Sequence, residues 1–292
     1  MKVAIGFAAR IALAAFGLVL LLPTAHATDG VIEINHIRAL AGGITPGDTL
    51  GYPVTISQPG SYRLTSNLTQ PDKDTAVIQI DADGVSIDLN GFAITGSNLC
   101  TYNIGPVSVT CASTGIGDGV VSSIGENLSI RNGALRGLGR HGIFSPSSDM
   151  RVNNVSVSHC GGIGINLQYG SISHSNISFN ASHGILATTV NADANVLYRN
   201  GENGIRAEDG VFSHNTSQFN VSSGIFMGNG VVESNDSSNN TAYGLNVSGS
   251  FGGTVAMRGN VFNGNGGGST NVGFGYTLLS PGNTNACAGA AC

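Results

Sequence analysis

The side chains best suited to chemistry recur beside a glycine–aliphatic pair that returns at a nearly constant step between positions 141 and 246. Two columns result, His141, Ile163, His183, Asn203, Ser223 and Tyr243 before the glycines, and Phe144, Asn166, Leu186, Arg206, Phe226 and Asn246 after the aliphatic residues. We expect the first and the second column to face outward on the same side. Arginine pairs with carboxylates, aromatic rings stack on sugars, and histidine or tyrosine transfers protons. The pattern therefore predicts a polysaccharide partner, with acidic polysaccharides among the candidates.

Within these columns, three residues are candidates for catalysis: His183, Arg206 and Tyr243. Arg206 would neutralise the carboxylate of a uronate sugar, and His183 or Tyr243 would move the proton beside it. Contacts to the substrate are expected from five further residues: His141, Phe144, Asn203, Glu208 and Phe226.

These residues leave three functions open. The chain binds a polysaccharide, or it is a uronate-polysaccharide lyase or epimerase, or it is a non-catalytic structural or adhesin-like protein. In the third case both columns are ordinary solvated surface. Inverting hydrolysis needs two carboxylates around a water, and the sequence has no adjacent pair of aspartates.

A second pattern, N-x-x-x-G-I, repeats at a constant step and begins at Asn180, Asn200 and Asn220. A further asparagine column runs through Asn195, Asn215 and Asn235, and both columns return at Asn260 and Asn265 after a short insertion. Apolar residues around them alternate with a period of two, which indicates short strands. We predict coils of strands that stack in parallel, with asparagine amides bonded from coil to coil as scaffolding.

The stretch "GVSIDLNGFAITG" at 84–96 and the coils over about 76–272 resemble the right-handed parallel β-helix repeat family, the pectate-lyase-like group that includes NosD-type carbohydrate-associated repeats. The resemblance implies an all-β, single-stranded right-handed parallel β-helix. It implies no particular function, because this fold hosts lyases, hydrolases, epimerases and adhesins. "RHGIF" at 140–144 and "SHGIL" at 182–186 resemble only the middle element of the polygalacturonase motif, and the epimerase pattern "DPHD" is absent.

The chain is expected to divide into four parts: a signal peptide at 1–27, an N-terminal cap and lead-in at 28–75, the coils at 76–275 and a tail at 276–292. In the cap, the segment "IEINHIRALAGG" carries Ile34, Ile37 and Ala41 at helical spacing. We predict that it forms a short amphipathic helix covering the open end of the stack.

The predicted signal segment, 1–27, carries Lys2 and Arg10 before a short apolar run that ends in "AHA". This is typical of a secretory signal cleaved after Ala27, and it predicts a secreted or periplasmic protein with no membrane span. Removing it leaves ten basic and 17 acidic residues, a net charge of −7. Nucleic acid is thereby disfavoured as a partner. Lys73 would be the only lysine left, which argues against lysine-dependent lyase chemistry.

Export permits disulfides, and the five cysteines include two locally spaced pairs. We predict the bonds Cys100–Cys111 and Cys287–Cys292, with Cys160 free and "TYNIGPVSVT" forming a loop extruded from one coil. No metal site and no cofactor are expected, since no C-x-x-C occurs and the histidines do not cluster beside the cysteines. His174 and His214, two coils apart, are predicted to be surface or turn residues.

Overall fold

The computed structural model describes the backbone of residues 30–249, 252–287 and 290–291. The predicted signal peptide, 1–27, lies outside the described residues. Within the described part of the chain, no helix is long and apolar enough to cross a membrane.

Short strands make up nearly all of the regular structure in the described residues. The N-terminal part contains β1 (Ile32–Ile34), α1 (His36–Ala41), β2 (Val54–Ile56), β3 (Gly60–Leu64), β4 (Leu68–Thr69), β5 (Ile78–Ile80), β6 (Val85–Asp88), β7 (Ala93–Thr95), β8 (Cys100–Ile104), β9 (Val107–Cys111), β10 (Val120–Ser122) and β11 (Leu128–Arg136). The central part contains β12 (Ile143–Ser158), β13 (Ile165–Ser173), β14 (Asn176–Ser178), β15 (Ile185–Asp193), β16 (Val196–Tyr198), β17 (Ile205–Ser213), β18 (Thr216–Gln218), β19 (Ile225–Glu233), β20 (Asp236–Ser238) and β21 (Tyr243–Val247). The C-terminal part contains β22 (Gly253–Arg258), β23 (Val261–Phe262), β24 (Gly268–Val272), β25 (Tyr276–Leu279), a 3-10 turn at Pro281–Asn283, β26 (Ala286–Cys287) and β27 (Ala290–Ala291).

Of the 27 strands in the described residues, 25 form one sheet that winds into a right-handed parallel β-helix, which confirms the predicted fold; β8 and β9 form a sheet of their own. In the central coils, β13, β15, β17 and β19 pair in parallel at the step of the sequence repeat, so that Ile165, Ile185, Ile205 and Ile225 are stacked partners. Parallel pairing extends beyond the predicted coil range of 76–275 on both sides, because β2 pairs with β5 and β23 pairs with β26.

The interior of the helix is a continuous apolar stack. The aliphatic residues after each glycine are fully buried: Ile143, Ile165, Ile185, Ile205, Ile225 and Leu245. The residues two positions later are buried as well: Leu167, Ala187, Ala207, Met227 and Val247. Because strand side chains alternate between faces, both sets point to the same interior, as predicted. Burial of each large aliphatic side chain contributes about 1.5–3 kcal/mol.

Two ladders of buried asparagines run along the stack, which confirms their predicted role as scaffolding. In one ladder, the Asn195 amide donates to Asn215 Oδ1 at 3.0 Å, and Asn215 donates in turn to Asn235 Oδ1 at 3.0 Å. The other ladder starts with Asn180 donating to Asn200 Oδ1 at 3.0 Å. Each amide oxygen also accepts a backbone N–H of the neighbouring coil, so the turn amides find partners although they are buried.

Residues with positive φ mark two of the turns in each coil. One set, His174, Ala194 and His214, has φ of 52°, 54° and 55° and directly precedes an asparagine of a ladder or the equivalent Ser175. His174 and His214 are therefore turn residues, as predicted. A second set, at positions 159, 179, 199 and 219, leads into the other asparagine ladder.

At the N-terminal end, the helix α1 is shorter than predicted and buries a different residue. Asn35 caps it by accepting a hydrogen bond from the Arg38 N–H at 2.9 Å, so Ile34 belongs to strand β1 and not to the helix. The predicted apolar face is wrong, because Ile37 is 79% exposed and Ala39 is the buried residue of α1. The pairing of Ile34 with Leu64 takes Ile34 out of the helical register.

The segment between Cys100 and Cys111 leaves the coil as the antiparallel hairpin β8–β9, which confirms the predicted extrusion. The Cys100–Cys111 disulfide closes this hairpin, and Cys160 is free and buried, both as predicted. Cys292 lies outside the described residues, so the Cys287–Cys292 bond stays a prediction.

Candidate functional site

The second column forms an ordered row on the outside of the molecule. Phe144 pairs with Asn166, Leu186 pairs with Arg206, and Arg206 pairs with Phe226, each on the next coil. All of its side chains are half-buried, with one part in contact with neighbours and the other open to solvent. The outward orientation predicted for this column is confirmed.

A cleft of about 530 Å³ lies along this row and brings four of the predicted site residues together: Phe144, His183, Arg206 and Glu208. The remaining lining residues are Pro146, Asn166, Leu167, Gln168, Leu186, Ala187 and Thr188. A smaller cavity of about 200 Å³ shares Thr188 and Glu208 with the cleft and reaches Tyr276. The two cavities together make an elongated depression across several coils.

Arg206 supplies the positive charge of the cleft. Its guanidinium carbon lies 4.8 Å from the centre of the Phe226 ring, a cation–π contact that fixes the side chain against the row. Among the described residues Arg206 forms no ion pair. Its guanidinium N–H groups are therefore available to a carboxylate or hydroxyl of a ligand.

The outward orientation predicted for the first column is wrong for its four buried members, whereas His141 and Tyr243 are half-buried; the buried ones are Ile163, His183, Asn203 and Ser223. His183, Asn203 and Ser223 are buried, and each accepts a backbone N–H from the next coil. His183 Nδ1 accepts from Asn203 at 3.2 Å, and Asn203 Oδ1 accepts from Ser223 at 3.0 Å. The buried turn needs these acceptors because its N–H groups would otherwise lack partners. Asn203, expected to contact the substrate, instead joins neighbouring coils.

His183 is held at both ring nitrogens. Because Nδ1 accepts the Asn203 N–H, a neutral imidazole carries its proton on Nε2, and Nε2 lies 2.8 Å from Glu202 Oε2. Burial lowers the pKa of His183, the Glu202 carboxylate opposes that shift, and the charge of Arg206 adds to it. With no free lone pair, the neutral ring is suited to positioning Glu202 rather than to accepting a proton from a substrate.

Glu202 was not predicted from the sequence, although its position in the repeat indicates a place beside His183. It directly precedes Asn203 of the first column, and the register of the repeat places it beside the coil of His183. Glu202 is half-exposed and is held by His183, which belongs to the cleft lining, although Glu202 itself does not line the cleft.

Tyr243 and His141 lie outside the cleft lining. Three coils separate Tyr243 from His183, which corresponds to about 14 Å of stacking. His141 lies two coils from His183 in the opposite direction. Its Nδ1 accepts the Ile163 N–H at 2.9 Å, and its ring centroid lies 5.1 Å from that of Phe144. Their predicted roles remain predictions, and the structure does not gather them with His183 and Arg206.

We predict that the protein loses stability in mild acid because His141 is largely buried. Burial lowers its pKa from 6.5 to about 4, with Asp118 opposing and Arg140 adding to the shift. The unfolded state thus binds the proton more readily than the folded state. The contribution of His141 to the free energy of unfolding is therefore complete above pH 6.5 and falls as the pH drops towards 4, by up to about 3 kcal/mol. Urea unfolding at pH 7 and pH 4.5 measures it.

The matched variant is His141→Asn, because Asn203 already accepts an equivalent backbone N–H in this column. We expect the variant to fold and to lose a clear part of the decline between pH 7 and pH 4.5. An unchanged decline would show that His141 is not its source.

Comparisons with known proteins identify a similar fold and do not establish an activity. The chain is similar to the periplasmic alginate epimerase AlgG, with a TM-score of 0.51 and 14% identity over 76% of this chain and 68% of that one. The fold is shared. The Azotobacter vinelandii mannuronan C-5 epimerase AlgE4 A-module gives a TM-score of 0.46 and 12% identity, covering 87% of each chain. No family model and no curated protein matches the chain.

No group of three or more His, Cys, Asp or Glu side chains within the described ranges is arranged to hold a metal ion. The side chains that the cleft lining offers for chemistry are the guanidinium of Arg206, the carboxylate of Glu208, the buried imidazole of His183 and the ring of Phe144.

Proposed function

We propose that this protein binds a polysaccharide along the second column. The observation that carries the proposal is the cleft of about 530 Å³, which places Phe144, Arg206 and Glu208 on one open face. A sugar ring packs its apolar face on Phe144 or Leu186, and its hydroxyls find donors and acceptors in Asn166 and Glu208. The length of the depression suits a chain rather than a single sugar.

Acidic polysaccharides are the favoured class because Arg206 has no carboxylate partner among the described residues and offers a planar set of donors. The shared fold with a periplasmic alginate epimerase supports a polysaccharide as the partner.

We propose action outside the cytoplasm, secreted or in the periplasm. The Cys100–Cys111 disulfide is typical of an oxidising compartment, and the leader predicted from the sequence agrees with export.

A second candidate is a uronate lyase or epimerase, favoured by Arg206 and Glu208 in one cleft and by Glu202, which pairs with the lining residue His183. Arg206 would neutralise the sugar carboxylate, and Glu202 or Glu208 would accept the proton beside it. His183 would act through Glu202 by fixing its orientation. Tyr243 would serve only a sugar bound about three coils away.

Replacing Arg206 with alanine tests the binding proposal. We expect the affinity for a uronate hexamer in the cleft to fall at least tenfold, because one charge-assisted contact is lost. Isothermal titration at low salt measures the change. A folded variant with unchanged affinity would place the binding face elsewhere.

Arg63→Ala is the matched control, since Arg63 is an exposed arginine on strand β3, away from the cleft lining. It removes the same charge from the whole molecule, and we expect affinity within about twofold of the parent protein. An equal loss in both variants would attribute the effect to net charge.

A further inference from the structure

A second cluster of rings and charge lies on the turns that precede the other asparagine ladder. Positions 159, 179, 199 and 219 follow the step of the repeat and all have positive φ, between 54° and 57°. In this order they carry His159, Phe179, Arg199 and Phe219. The His159 and Phe179 rings are stacked with centroids 5.2 Å apart. The turn geometry thus builds an ordered column of side chains on the outside of the coils.

Arg199 lies at the centre of this cluster among four rings. Its guanidinium carbon is 4.9 Å from the Tyr198 centroid, 5.0 Å from that of Tyr102, and 5.9 Å from those of Phe179 and Phe219. The Tyr198 and Phe219 rings meet edge to face with centroids 5.6 Å apart. The rings hold the guanidinium in place through cation–π contacts.

The cluster contains donors without acceptors. Arg199 Nε is buried and has no hydrogen-bond partner, and none of the ion pairs between described residues involves Arg199. No hydrogen bond within the described part of the chain uses the hydroxyl of Tyr102 or Tyr198. Among these donors only Nε is buried, so the terminal N–H groups of Arg199 and the two hydroxyls remain open to an acceptor from outside the chain.

The hairpin β8–β9 completes the cluster by bringing Tyr102 over Arg199. Its base is closed by the Cys100–Cys111 disulfide, and the Cys100 backbone lies within hydrogen-bond distance of His159 Nδ1, 3.0 Å from the carbonyl oxygen. A loop fixed at its base in this way presents Tyr102 at low entropic cost.

We propose that Arg199, Tyr102 and Tyr198 form a second binding site, for the carboxylate of an acidic sugar. The guanidinium pairs with the carboxylate through parallel hydrogen bonds, the two hydroxyls donate to the remaining oxygens, and the rings contact the apolar face of the sugar. Neutral sugars lack the group that would compensate the unpaired guanidinium, so they bind weakly here.

This site is separate from the cleft along the second column. Arg199 follows strand β16, whereas the cleft residues Arg206 and Glu208 belong to strand β17 after the intervening turn, and none of the ring cluster lines the cleft. The proposal does not depend on the cleft binding a polysaccharide. If both sites bind, one acidic chain held at two places gains avidity.

The test titrates a mannuronate hexamer into the parent protein, the Arg199→Gln variant and the Arg206→Ala variant by calorimetry. We expect Arg199→Gln to remove one binding event that Arg206→Ala leaves intact. If the cleft does not bind, the parent protein shows a single event, which only Arg199→Gln removes. The two proposals therefore fail in distinguishable ways.

Tyr198→Phe and Tyr102→Phe test the site without disturbing its packing, because each removes a hydroxyl and keeps the ring. They control for a folding defect in Arg199→Gln. Each is expected to weaken the Arg199-dependent event about two- to fivefold at an unchanged melting temperature. The proposal is overturned if folded Arg199→Gln binds the hexamer like the parent protein, which would make the cluster purely structural. Equal affinity for a neutral mannose hexamer would also overturn it.

Discussion

Replacing Asn215 with alanine is expected to lower the free energy of unfolding by about 3–5 kcal/mol. The Asn215 amide donates to Ala192 O at 2.8 Å and to Asn235 Oδ1 at 3.0 Å, and its oxygen accepts both the backbone N–H and the side-chain amide of Asn195. Alanine leaves these buried partners unsatisfied. Equilibrium unfolding in urea measures the loss.

Asn191→Ala is the matched control, since Asn191 is an exposed asparagine on strand β15 that belongs to neither ladder. We expect its effect to stay within about 0.5 kcal/mol. Similar losses for both variants would mean that the ladder contributes no more than an ordinary surface asparagine.

Gly204→Ala is expected to destabilise the protein by about 3 kcal/mol or to prevent folding. A Cβ at this position would lie 2.7 Å from Gly224 O and 2.9 Å from Asn220 Nδ2, and it would overlap Ser217 Oγ. Two of the three atoms belong to the coil stack and its ladder, so they cannot move independently. Thermal unfolding followed by circular dichroism reports the change.

Gly30→Ala provides the comparison, because no heavy atom lies within 4 Å of its Cβ position. Its stability should match that of the parent protein. If Gly204→Ala is equally harmless, the close approach of neighbouring coils does not explain why glycine recurs at this step.

The repeat made most of the fold predictable. Glycine is needed where one coil approaches the carbonyl of the next, and asparagine where a buried turn N–H needs an acceptor, so both recur with the period of one coil. The alternation of apolar residues assigned the interior correctly from Ile143 to Leu245. The cap was less predictable, because Ile37 has helical spacing but is exposed.

The site was predicted only in part. Alternation applies within a strand, so it assigned Arg206 and Phe226 correctly to the outside. The first column lies in the turn before the strand, where the need for acceptors buries His183 and Asn203. The cluster around Arg199 was missed because it depends on left-handed turn geometry and on a hairpin that brings in Tyr102 from far away in the sequence.

Size-exclusion chromatography of the protein with alginate, pectate, hyaluronan, chitin and neutral glucans tests the central claim, that the outer face engages polysaccharide. We predict that the protein co-elutes with at least one uronate-containing polymer and that Arg206→Ala weakens this co-elution. A shift of the polymer to smaller size would add catalysis to binding. Elution of the protein at its own volume with every polymer, and no change in any polymer, would contradict the account.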